Sequence, residues 1–110
     1  MKLAARVAIG AMLLGIALVA VARADGGARA HVVEMTRFAF QPFQVEVAPG
    51  DTVRWLNREL VPHTATARDG SWDSGGIEQG ASWSWVADRR GTIDYVCAYH
   101  PSMRGRIVVR

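Results

Sequence analysis

Beyond residue 30 the apolar residues fall at every second position in short runs. Phe43, Val45 and Val47 alternate with Gln44 and Glu46, and Val53, Trp55 and Asn57 share one side of Thr52 to Asn57. Period-two alternation is what a strand with one buried face requires, because successive side chains leave opposite faces of a sheet. The same rhythm puts Trp83 and Trp85 together in Ser82 to Val86, and Ile93, Tyr95 and Cys97 together in Thr92 to Cys97. His31 to Arg37 and Gly105 to Val109 complete a set of six or seven short strands. The aromatic cluster Phe38-Ala39-Phe40 is expected to close the core beside the first of them.

Turn chemistry separates these runs. Ala48-Pro49-Gly50-Asp51 and Asp88-Arg89-Arg90-Gly91 read as turns, with the two arginines a solvated tip. Asp69 to Gly80 is rich in Gly, Ser and Asp around Trp72 and Ile77, which marks surface connection. Helical periodicity is missing after the first two dozen residues, so the pattern predicts an all-β fold, a β-sandwich with Greek-key connections. Tyr95, two residues before Cys97 on a late strand, resembles the tyrosine corner of such sandwiches.

The N-terminus changes the reading of composition. Half of the 110 residues are hydrophobic, but Lys2 and Arg6 precede an apolar run from Val7 to Ala22, followed by Ala22-Arg23-Ala24 and Asp25-Gly26-Gly27. That is the layout of a secretory signal peptide. The run of 16 residues is short of the ~20 needed to span a bilayer. The expected organisation is therefore a signal peptide at residues 1–24 and one domain at 25–110, with cleavage between Ala24 and Ala30, export to the periplasm and no membrane attachment afterwards. The 13 basic and 10 acidic residues become ten of each once Lys2, Arg6 and Arg23 are removed. A neutral chain with no basic stripe excludes nucleic acid as a partner.

Cys97, His100 and Met103 place a thiolate, an imidazole and a thioether at C-x2-H-x2-M spacing. Soft sulfur donors select copper, and two His with one Cys and a weak axial Met form the ligand group of blue-copper electron-transfer centres. A second His is needed. His63, preceded by Pro62 at the end of a strand-like run, is the first candidate, and His31 is its competitor. In the blander reading Cys97 is a small buried hydrophobe, as free Cys often is. An unpaired thiol in an oxidising compartment would nevertheless be oxidised unless it were buried or metal-bound.

The segments Pro49 to Glu59, Pro62-His63, Gly91 to Cys97 and His100 to Val109 resemble the cupredoxin family, in its amicyanin and plastocyanin branch. The resemblance implies a Greek-key sandwich of about seven or eight strands. It implies one Cu(I)/Cu(II) ion in a type 1 site, with His63, Cys97 and His100 as equatorial ligands and Met103 as the axial one. It further implies a monomeric electron carrier, not an enzyme, serving a cytochrome c or a dehydrogenase that docks transiently near His100. Leu60, Val61, Pro62 and Pro101 could form an apolar rim there, with Arg58, Glu59 and Arg104 as orienting charges. Thr64 stands where Asn is usual and Ser102 where Phe is common. Copper storage or delivery is the alternative function, although the remaining Met and His residues do not cluster.

Overall fold

The computed structural model describes residues 27–110, so the expected signal peptide at 1–24 lies outside the described residues. Eight strands follow one another: β1 (Ala30–Thr36), β2 (Ala39–Gln41), β3 (Gln44–Val47), β4 (Thr52–Asn57), β5 (Thr66–Ala67), β6 (Ser82–Val86), β7 (Gly91–Cys97) and β8 (His100–Val109). They build two four-stranded sheets, in the orders β2-β1-β4-β6 and β3-β8-β7-β5. β1 runs parallel to β4 and β3 parallel to β8; the other neighbours are antiparallel.

The alternating positions meet between the sheets. Val33, Met35, Val53 and Trp55 from one sheet face Val45, Val47, Ile93, Tyr95, Ile107 and Val109 from the other, all buried. Each such side chain contributes about 1.5–3 kcal/mol when removed from water. Trp55 lies at the centre, its ring 5.2 Å from Trp72, 5.6 Å from Trp83 and 5.4 Å from Tyr95. Trp83 and Trp85 pack against the core while remaining half-buried.

Phe38 and Phe43 depart from the sequence pattern: both are 53% exposed. The β3 ladder begins only at Gln44, paired with Arg106, and side-chain parity is not imposed outside a ladder. Phe38 sits in the two-residue turn between β1 and β2, so only Phe40 of the aromatic cluster is buried. The final strand starts at His100 instead of Gly105, with a register shift opposite Val96 and Cys97 that sets Cys97 against His100. Tyr95 pairs with Gly105 and lies across it, so that a Cβ there would stand 2.5 Å from the Tyr95 hydroxyl. That hydroxyl is buried without a hydrogen-bond partner, so the bond that defines a tyrosine corner does not form.

Candidate metal centre

Asn57, the last residue of β4, shapes the loop that delivers His63. Its buried amide donates to the carbonyls of Val61 and Ile77, both at 2.9 Å, and accepts the Glu59 N–H at 2.8 Å. A fully satisfied buried amide of this kind rigidifies its surroundings. His63 is then pinned through its own backbone, which exchanges hydrogen bonds with Ile77 at 3.2 and 2.7 Å. The imidazole is 0% exposed. Its Nε2–H donates to Glu59 Oε1 at 2.8 Å, and Nδ1, the other ring nitrogen, lies 3.7 Å from Cys97 Sγ.

Cys97 closes β7, and the short turn after it returns the chain so that His100 Nδ1 also lies 3.7 Å from Sγ. The ligand atoms of His63, Cys97 and His100 lie within 4.8 Å of one another. Met103, three residues along β8, is buried at 2% exposure. The structure thus brings the candidate His63 together with Cys97 and His100 of the C-x2-H-x2-M spacing, and buries Met103, its third member, farther along the strand that His100 begins. His31, the competitor, is elsewhere: it pairs with Asp51 at 2.9 Å.

Thr64 ties the two ligand segments together. Its backbone N–H donates to Cys97 Sγ at 3.3 Å, and its hydroxyl accepts the Ala98 N–H at 2.7 Å. The hydroxyl proton passes to Thr66 Oγ1 at 2.8 Å, because the Thr66 hydroxyl is itself committed to Asp73 at 2.9 Å. The threonine therefore supplies both an acceptor and a donor.

Two site residues escaped sequence reasoning. Glu59, read there as a charge for a partner, is turned inward, with its side chain 17% exposed. Burial alone would raise its carboxyl, but the Phe38 N–H, the His63 ring and the Arg37 N–H together outweigh that and hold it below the usual carboxylate range. Phe38 is the other. Its N–H donates to Glu59 Oε1 at 3.0 Å, and its ring stands edge-on to both imidazoles, 5.3 Å from His63 and 5.1 Å from His100. Arg37 and Phe38 have φ of 54° and 55°, a left-handed pair that costs about 1–2 kcal/mol per non-glycine residue. Such turns normally announce themselves by Asn-Gly or Gly-Gly, so Arg37-Phe38 carries no signal by which they could have been found.

The donor set fits copper. Two imidazoles and a thiolate whose donor atoms lie within 4.8 Å of one another, with a buried thioether three residues along from His100, match the preference of soft and borderline donors for copper over harder cations.

Comparison with known proteins agrees. The family described as copper binding proteins, plastocyanin/azurin family, matches residues 28–110. Amicyanin of Paracoccus denitrificans is 34% identical, over 78% of this chain and 67% of its own length. Amicyanin-alpha of Methylorubrum extorquens is 33% identical, over 97% and 92%. The solved Cu(I) form of an amicyanin variant superposes with a TM-score of 0.69 at 32% identity, covering 79% of this chain and 88% of its own. With its eight-stranded sandwich, its His-Cys-His cluster and a match that spans nearly all of the described residues, the chain belongs to the plastocyanin/azurin family of copper binding proteins.

Proposed function

We propose that His63, Cys97 and His100 are the equatorial ligands and Met103 the axial ligand of the single copper ion. The protein is a type 1 copper protein that shuttles electrons. The observation that carries the ligand assignment is the convergence of three donor atoms within 4.8 Å on a backbone already fixed by Asn57, Ile77 and Thr64. Copper held there supplies a one-electron couple that thiolate, imidazole and thioether donors can accommodate in both oxidation states. The chain holds those donors in place: Glu59 sets the His63 tautomer, the Thr64 N–H polarises the sulfur, and burial of His63, Cys97 and Met103 keeps water from them. Buried donors on hydrogen-bonded strands favour a carrier over a storage or delivery protein, which needs exchangeable ligands, and four protein ligands leave no position for a substrate.

His100 is only half-buried, and it is the ligand through which a partner is met. The Phe38 ring stands 5.1 Å from it and the exposed Pro101 follows it in the chain, while Leu60, at 82% exposure, and Val61, at 39%, line a depression with Phe38 and extend the apolar rim. A transient redox interface of about 1,200 Å² or less centred on that rim suits a cytochrome c or a dehydrogenase. The first 24 residues act as a cleaved leader, which places the mature protein in the periplasm. The ligand assignment is tested by absorption: the Cu(II) protein is intensely blue and Cys97→Ser is colourless, whereas a blue Cys97→Ser protein would refute it. The docking surface is tested by Leu60→Glu, which slows electron exchange in stopped flow while the copper spectrum stays as it was.

A further inference from the structure

On the outer face of the β5-β7-β8 sheet a pocket of about 320 Å³ is lined by Phe43, Arg68, Asp94, Tyr95, Arg104, Gly105 and Arg106. Arg106 is bonded to the Asp94 carboxylate there, Arg68 acts on the same carboxylate through its charge, and Arg104 lines the pocket beside them. Arg106 Nε donates to Asp94 Oδ1 at 2.7 Å and neutralises it. Arg68 and Arg104, both exposed, form no salt bridge among the described residues. The chain as a whole carries balanced charge in its domain, so this face is a local excess of positive charge in a concave setting. Guanidinium groups present planar forks that match carboxylates.

The pocket is not isolated. Phe43 and Arg104 also line a shallower depression that runs past Ser102 and Met103 to Phe38. Phe38 in turn stands against His63 and His100. The arginine pocket is therefore continuous with the rim at which a redox partner would dock.

We infer that the pocket formed by Arg68, Arg104 and Arg106 receives an acidic segment of the redox partner, carboxylate side chains that flank the partner's own electron-transfer face. The inference rests on the docking reading above and extends it. The rim supplies the short apolar contact at His100, while the arginines orient the partner and raise its encounter rate, an effect that weakens with salt. A concave pocket with an exposed Phe43 at its edge accepts an inserted carboxylate side chain together with its methylenes.

The test uses the full copper-loaded protein in its diamagnetic Cu(I) state, titrated with a hexaglutamate peptide and followed by amide and guanidinium NMR shifts. Saturable shifts are expected at Arg68, Arg104, Gly105 and Val96. The Arg68→Gln, Arg104→Gln double variant should lose at least tenfold in affinity with its blue spectrum intact, and Arg54→Gln on the other sheet should lose nothing. Leu60→Glu leaves peptide affinity within about twofold, so failure of the rim reading and failure of this one are separable. Shifts that fall elsewhere, or an unchanged affinity in the double variant, would overturn the proposal. So would inorganic phosphate binding as tightly as the peptide with the same shifts, since the pocket would then be a small-anion site.

Discussion

Replacing Thr64 with valine tests whether the two ligand segments are held together by one hydroxyl. The side chain is 2% exposed and nearly isosteric with valine, so the change removes hydrogen bonds without opening a cavity. The Ala98 N–H loses its acceptor at 2.7 Å and Thr66 loses a donor at 2.8 Å. An unsatisfied buried donor costs about 1–3 kcal/mol. Ala98 is itself exposed, so water recovers part of that, and the lower half of the range, about 1–2 kcal/mol, applies. For a domain of this size each kcal/mol moves Tm by about 4–8 °C, which puts the expected fall at roughly 4–15 °C. The assay is calorimetry of the Cu(I) and metal-free forms, with Thr64→Ser as control. Serine keeps the hydroxyl and should lose less than half as much, and the blue spectrum should persist in Thr64→Val because the bond to sulfur comes from the backbone. A Tm within about 2 °C of the parent, or a serine variant as unstable as the valine one, would refute the reasoning.

Gly105→Ala is expected to destabilise by about 1–3 kcal/mol, read as a lowered denaturation midpoint, because the new Cβ meets the buried Tyr95 ring; a neutral alanine would show that the ring can yield. Asp51 accepts N–H bonds from Ala48 and Arg29 and a bond from His31, which hold its carboxyl well below the ordinary value of 3.8. A depressed folded-state pKa contributes stability that is complete above the unfolded value and is lost as pH falls toward the folded one. The Tm gap between the parent and Asp51→Asn should accordingly narrow as the pH is lowered from about 5 to about 2, and a constant gap would contradict it. Met103→Gln should retain copper and lower the reduction potential in voltammetry, since a harder oxygen donor favours Cu(II); an unchanged potential would remove Met103 from the axial position. N-terminal sequencing of exported protein should begin between Asp25 and Ala30, and a start at Met1 would mean a retained leader.

Much of this protein is legible one segment at a time. The alternation of Val53, Trp55 and Asn57 and of Ile93, Tyr95 and Cys97 needs only a strand and a buried side, and both sets are buried in β4 and β7. Likewise Cys97 and His100 are close because only two residues separate them. What the tertiary structure alone decided involves distance along the chain. His63 outranks His31 because the pairing of β5 with β7 brings its segment beside a cysteine 34 positions away, while β1 aims His31 at Asp51. Phe38 and Phe43, identical in pattern to core aromatics, are exposed because one occupies a turn and the other precedes its ladder. Glu59 became part of the site through the fold of its own loop, and Arg68, Arg104 and Arg106 became one pocket only when β5, β7 and β8 were laid side by side. Periodicity reports which side of a strand faces the core; which strand lies next to which is set by the packing of the two sheets, and no local pattern encodes it.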